Sequence, residues 1–393
     1  MTVLIVGAGF SGAVYARTLA EAGYQVQIID KRSHIGGNAY DDVDANGVRV
    51  HAYGPHIFHT KLRSVMEWLQ RFGRFAPYEH KVRAKLPDGR MAPLPINLDT
   101  INMVFGTCFE TSDEVQAHLA EVALDFPQPR NAAEYLYGSI GQELTDLFFR
   151  PYTKKMWQQD LEDMSASVVK RIPLRTDRID TYFSSDETQL MPVAGYTALF
   201  QEILAHPRIE IELGVTFEKH MLRGFEFCFN AMPIDEFFDF VLGDLPYRSI
   251  RFHHRTEHDT VAPSAPVVNF TDTLPFTRET YWDAFPHHRV HRTGQRTITK
   301  EEPCDYRDNG MERYYPVKTA DGRYQALYEK YRLLARRAPN MAFIGRCGTY
   351  QYLDMDQVIN QSLAGAERWL SQHRSAYTSP PIDRLFQAGG GLA

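Results

Sequence analysis

The sequence predicts an α/β fold, in which an N-terminal βαβ unit is interrupted by an inserted helical module and an antiparallel β-sheet. Three observations carry that prediction. A short apolar strand runs directly into a G-x-G-x-x-G turn at residues 7–12. A second apolar strand, a glycine and a long helical pattern return near the C-terminus, from Met341 to Trp369. Between these ends the texture changes, first to helical periods broken by prolines and then to β-rich stretches.

Thr2 to Val6 is a continuous apolar run, as expected of a parallel strand covered on both faces. In the turn that follows, Gly7 permits the tight bend and Gly9 lets a pyrophosphate approach the backbone. Gly12 lets helix and strand pack closely. Ala13 to Ala22 places Ala13, Ala16, Leu19 and Ala20 on one helical face, and the helix N-terminus would point N–H groups at a phosphate. Gly23 ends this helix. Gln25 to Ile29 is the second strand and finishes in Asp30, an acid suited to ribose hydroxyls. Strand, motif, helix, strand and acid in that order predict a Rossmann-like unit that binds the ADP half of a dinucleotide.

The next stretch, Lys31-Arg32-Ser33-His34-Ile35-Gly36-Gly37-Asn38, resembles the second fingerprint of glutathione-reductase-like and amine-oxidase-like flavoproteins. It favours FAD over NAD. Such flavoproteins complete the flavin end near the C-terminus, where Met341 to Ile344 leads into Gly345-Arg346. Leu353 to Trp369 then has helical spacing, with Val358, Leu363, Ala366 and Leu370 as candidate core. An Asp usually follows that glycine in flavoproteins; here Arg346 stands in its place.

In the insertion, Asn97 to Asp125 and Ala132 to Phe149 are helix-compatible and are separated by Pro127-Gln128-Pro129. The second is expected to stop before Pro151. Ile209 to Phe217, Gly224 to Phe229, Ser249 to His254 and Val267 to Thr271 are β-rich. Two runs suggest an anionic, aromatic-binding ligand: Arg150 to Trp157 followed by Lys170-Arg171-Ile172-Pro173, and Tyr314-Tyr315-Pro316 with Thr277-Arg278. The plainer alternative is a solvated basic face with Trp157 as partial core. His56 and His59 have an i, i+3 spacing, but no carboxylate or cysteine lies close in sequence, so no metal site is expected. No catalytic serine triad, kinase or P-loop signature is present.

The whole-chain properties agree. At 393 residues, two or three packed units are expected. A formal charge of −6 offers no reason to expect a nucleic-acid partner. The four cysteines form no CxxC pair, which suits a reducing compartment. No apolar run approaches the ~20 residues of a membrane span, and the N-terminal run leads into the glycine turn like a strand, not a signal peptide. A cytoplasmic location is therefore expected.

Several rare strings resemble the prokaryotic UDP-galactopyranose mutases. They are His34 to Tyr40, Tyr53 to Thr60, Pro151 to Trp157, Val268 to Asp272 and Tyr350 to Met355. The family also has Gly-Arg where Gly345-Arg346 stands. The resemblance implies a discontinuous FAD-binding domain at 1–76, 197–237 and 316–393. It adds a helical domain with a substrate lid at 98–168, and an antiparallel-sheet substrate domain at 77–97, 169–196 and 238–315. The implied activity is a redox-neutral interconversion of UDP-galactopyranose and UDP-galactofuranose through a covalent sugar–flavin N5 adduct on reduced FAD. An unidentified flavin reductant and a homo-oligomer are implied partners, and bacterial cell-surface glycans receive the product.

By the same resemblance, Arg171 and Arg278 hold the diphosphate, helped by Tyr182, Tyr315 and Tyr352. Tyr152, Thr153, Trp157 and Asn269 take the uridine, with the loop carrying Trp157 closing over it. FAD is contacted by Gly7, Gly9, Ser11, Gly12, Asp30, Lys31, Gly37, Asn38, His56, Ile57, Arg346, Leu353, Asp354, Met355 and Val358. His59 lies beside the flavin. His80 falls among the substrate contacts, where other members commonly have Asn. Two alternatives remain at this stage. An amine-oxidase-like oxidoreductase would need no diphosphate clamp. A non-catalytic nucleotide-sugar sensor would lack Arg171, Arg278 or His59, all of which are present.

Overall fold

The computed structural model describes residues 2–170, 173–183, 188–338 and 340–373. Thr2–Val6 is the middle strand of a five-stranded parallel sheet, in the order Ile209–Leu213, Gln25–Asp30, Thr2–Val6, Phe227–Asn230, Met341–Phe343. Its apolar side chains are buried on both faces, as the unbroken run predicts. The first two β-rich stretches of the insertion thus complete the parallel sheet, and only the later two enter the second sheet. The first helix spans Phe10–Glu21, so it begins inside the glycine motif rather than at Ala13. Gly9 is its N-cap and offers no side-chain cap, which leaves the first-turn N–H groups available to a ligand. Helix Met355–His373 packs beside it. Val358, Ala366 and Leu370 are buried there and Leu363 is partly so, and Ser362 Oγ meets Ser11 Oγ at 3.0 Å.

The second sheet has seven strands: Tyr315–Pro316, Tyr247–His258, Gln295–Asp305, Arg278–Tyr281, Val267–Phe270, Val82–Lys85 and Met91–Leu94, in that order. It is antiparallel at every junction except Val82–Lys85 with Val267–Phe270, which run parallel. Direct cross-strand partners share a face. The register sets Asn269 opposite Arg278 and Arg278 opposite Glu301, so these three polar side chains form one row across the sheet.

The helical segment departs from expectation at two points. Asn97 to Asp125 is two helices, Leu98–Phe105 and Ser112–Val122. Gly106 ends the first in the left-handed region, and a capping box from Thr111 and Glu114 starts the second. Nor does the next helix stop before Pro151. Ala132–Leu144 passes through a π-helical turn at Thr145–Phe149 into Arg150–Trp157, whose first turn contains the proline. A first-turn N–H has no intrahelical partner to lose, so proline is tolerated there. The real interruption is Gly141, whose φ of 74° no helix residue adopts. Among the described residues, no helix is long and apolar enough to cross a membrane.

Gly12→Ala tests the strand–helix contact. An added Cβ would overlap the Gly7 carbonyl oxygen and lie 3.1 Å from Ile5 Cγ2. The expected result is a stability loss of roughly 1–3 kcal/mol or more in thermal melts, with depleted cofactor after purification. A wild-type melting temperature and full occupancy would show that the contact is not tight.

Candidate active site

A cavity of about 860 Å³ opens where the carboxyl ends of the parallel strands face the second sheet. At the glycine-rich end its wall is bare backbone. A Cβ on Gly37 would come within 2.9 Å of Gly9 Cα, so this approach of the two loops requires glycine at 37. The Asp30 carboxylate accepts hydrogen bonds from Ala8 N at 2.7 Å and Arg32 N at 2.9 Å, which hold it at the rim. Each oxygen keeps a further acceptor position for a ribose hydroxyl. Uncapped helix N–H groups, a side-chain-free slot and a fixed acid fit the pyrophosphate and ribose of FAD.

This end is crossed by a strap that the sequence did not reveal. Arg32 donates to Asn38 Oδ1 at 2.9 Å, pairs with Glu312 and lies over the Tyr53 ring at 4.4 Å. Burial works against the Glu312 charge, but Arg32 and Lys31 hold its carboxyl below the usual range. Arg32 was visible within the fingerprint; Glu312 had no local motif to mark it.

Farther in, Arg278 donates through Nε to Glu301 Oε2 at 2.6 Å. Burial pushes the Glu301 carboxyl up while the guanidinium pulls it back. Burial also opposes the charge on Arg278, yet Glu301 holds it well above its ordinary range. Among the described residues no hydrogen bond occupies the Arg278 Nη nitrogens, the pair suited to a two-pronged grip on a diphosphate. Glu301 was also missed by sequence reasoning. Only the strand register shows that it, and not its neighbour Glu302, meets Arg278.

Aromatic rings close the far side. Trp157 lies 5.9 Å from Tyr315 and 6.2 Å from Tyr352, and Arg346 sits over both tyrosine rings at 5.3 and 5.4 Å. Burial pushes the Tyr315 phenol up to about 12. Trp157 is not on a loop, as expected, but is the last residue of helix Arg150–Trp157. His59 stacks on Phe183 at 3.8 Å.

The His56 Nδ1 must donate to the Gly54 carbonyl, 2.7 Å away, so its neutral ring keeps Nε2 as an acceptor. Burial, with Arg346 and Arg278, lowers the His56 pKa to about 4. Burial, with Arg278 and His59, lowers that of His80 to about 3. Every expected cofactor residue except Gly37 lines the cavity, with Gly37 backing Gly9 from behind. So does every expected substrate residue except Arg171, which lies outside the described residues.

A family profile described as UDP-galactopyranose mutase matches residues 147–352. A probable UDP-galactopyranose mutase of Klebsiella pneumoniae is 38% identical over 94% of this chain and 94% of its own. The chain belongs to the UDP-galactopyranose mutase family. Residues 5–72 match an NAD(P)-binding Rossmann-like domain, and a reduced UDP-galactopyranose mutase structure superposes with a TM-score of 0.73. That structure is 18% identical and covers 94% of this chain and 96% of its own, a likeness of fold. A dTDP-fucopyranose mutase of Escherichia coli is 35% identical over 95% of this chain and 99% of its own. The chain is thus an enzyme of a flavoprotein family of nucleotide-sugar mutases.

Histidines in and around the site of this chain are kept neutral by burial. His51 and His288 share the condition of His56 and His80; burial depresses the first well below 6.5 and the second to about 3. Unfolded histidines titrate near 6.5. Below that pH the unfolded chain binds protons that the native chain refuses, so stability falls as pH drops from about 6.5 toward 4. Each histidine contributes up to about 1.4 kcal/mol per pH unit. Urea midpoints are expected to be flat from about pH 7 to 8.5 and to fall steeply by pH 5. A midpoint unchanged at pH 5 would contradict the neutral assignment.

Proposed function

We propose that the chain interconverts the pyranose and furanose forms of UDP-galactose with reduced FAD as its cofactor. The observation that carries this reading is Arg278, whose Nη edge is left for an anion between the aromatic wall and the cofactor slot. Of the five lining carboxylates, Glu236, Glu301 and Glu312 are each paired with an arginine, namely Arg313, Arg278 and Arg32, and Asp30 accepts from two backbone N–H groups. Such paired acids suit charge balance better than the proton transfers of a glycosidase dyad. Reduced FAD, when bound, supplies the nucleophilic electron pair that this set of side chains lacks.

The residues of the chain do the rest. Arg278, joined by Arg171, takes the charge that builds on the departing diphosphate, with Tyr182, Tyr315 and Tyr352 as hydroxyl donors. Tyr152, Thr153, Trp157 and Asn269 hold the uridine, and Trp157 offers its ring to the base. His80 borders the sugar as a neutral ring. His59, fixed by Phe183, keeps the reacting face dry. His56 Nε2 accepts from the cofactor. Asp30, Lys31 and Asn38 take the adenosine half, while Leu353, Asp354, Met355 and Val358 meet the flavin half. A cellular reductant prepares the enzyme, and the galactofuranose product serves surface glycans.

The E. coli relative favours a second reading, in which the substrate is dTDP-fucopyranose. An assay of dithionite-reduced holoenzyme with both nucleotide sugars decides. UDP-galactose turnover that appears only after reduction, with no net electrons consumed, is expected. Preference for dTDP-fucopyranose would move the assignment, and stoichiometric flavin reduction by substrate would replace it with an oxidase. Arg278→Lys keeps the charge but not the planar two-pronged donor. It is expected to lower kcat/KM on the order of 100-fold with FAD still bound. Near-normal turnover would remove Arg278 from the clamp.

A further inference from the structure

Helix Arg150–Trp157 carries Tyr152, Thr153 and Trp157 into the cavity wall, yet the residue between them that faces away is also buried. The Lys155 side chain is only 8% exposed. Its ammonium donates to Phe276 O at 2.9 Å, Phe270 O at 3.0 Å and Asp272 Oδ1 at 3.4 Å. An ammonium has three N–H donors, and all three are used here. The acceptors lie at the end of one strand and in the turn of one hairpin, formed by strands Val267–Phe270 and Arg278–Tyr281. That hairpin bears Asn269 and Arg278 as direct cross-strand partners, immediately beyond the turn. A second tie lies one residue along the helix, where buried Arg248 donates to Met156 O at 2.9 Å.

We propose that Lys155 is a positioning residue for the nucleotide end of the substrate, fixing the Tyr152–Trp157 helix against the Asn269–Arg278 hairpin. The inference rests on the nucleotide-sugar reading above. The two walls come from segments more than a hundred residues apart in sequence, 150–157 and 267–281, and this ammonium bridges them directly. A base held between Trp157 and Asn269, with its diphosphate on Arg278, needs that separation constant. The aromatic wall is then already in place before ligand arrives, which lowers the ordering cost of binding. Lysine suits the task because its three donors diverge onto separate acceptors, whereas the donors of arginine lie in one plane.

The test is Lys155→Met in the full-length holoenzyme, with flavin content read from the visible spectrum and UDP affinity from titration calorimetry. The expected result is UDP binding weaker by roughly tenfold or more, with KM for UDP-galactose raised in proportion. kcat should stay within about threefold and flavin content unchanged, because the tie does not touch the cofactor slot. Lys155→Arg should recover part of the affinity. A residue of purely structural importance would lower the melting temperature without shrinking the rise that saturating UDP produces. UDP affinity equal to wild type in Lys155→Met overturns the proposal. If that variant does not fold, Asp272→Asn and Lys155→Arg decide. Both should weaken UDP roughly two- to fivefold, and wild-type affinity in both overturns it. Failure of the wild-type protein to bind UDP overturns the functional reading instead.

Discussion

A guanidinium held largely out of water must have a counter-charge, and in this chain that need organises the second sheet. Arg278 and Glu301 are direct partners on neighbouring strands, so the counter-charge comes from the register and not from a flexible loop. Glu301 is almost completely buried, and among the described residues its Oε1 finds no hydrogen-bond partner. Such a carboxylate is costly to desolvate and is retained only because Arg278 compensates it. The pairing uses the Nε edge, so a cation is delivered to the cavity at a fixed angle. It also sets the state of its neighbours, because Arg278 adds to the burial that keeps His56 and His80 neutral. One ion pair therefore fixes charge and geometry at the centre of the site and reinforces the protonation state that burial sets.

The parts of this arrangement that were legible in the sequence are those encoded locally. The strand from Thr2, the turn at Gly7 to Gly12 and the acid at Asp30 follow one another within a single unit, and each has a residue type that its conformation demands. The cavity-lining residues of the second half were found through rare strings, not through periodicity. What stayed hidden depends on pairings between distant segments. Glu301 and Glu302 are indistinguishable until the register turns one inward. Glu312 acquires meaning only when it meets Arg32 across the cofactor slot. Pro151 misled in the opposite direction: proline is a breaker inside a helix but is harmless in a first turn, and the π-helical turn before it restarts the count.

Arg346 has a physical explanation in this setting. Flavoproteins commonly carry an acid at its position, but the proposed function places two diphosphates in one cavity. Two such anions repel, and an acid between them would worsen the repulsion. Arg346 donates to the Tyr314 carbonyl at 2.8 Å and lies against the rings of Tyr315 and Tyr352. The backbone acceptor and the ring faces stabilise the cation without neutralising it. Among the described residues no carboxylate pairs with it, so its charge remains available to the cavity that it lines.

The same reasoning explains why the wall is aromatic and why His56 and His80 are uncharged. Between charges, attraction strengthens as the local dielectric falls, and Trp157, Tyr315, Tyr352 and Phe183 displace water from around Arg278 and Arg346. Protonated histidines in that volume would add positive charge with no paired anion and would draw water back. Burial prevents this, and the hydrogen bond from His56 to Gly54 fixes which ring nitrogen is left to accept. The cavity thus contains cations that cannot lose their protons, rings that exclude solvent, and bases that do not charge at neutral pH. In the proposed reaction a departing diphosphate would meet charge already in place, with no proton transfer to wait for, so the barrier to its departure would depend on how rigidly Arg278 and the aromatic wall are held.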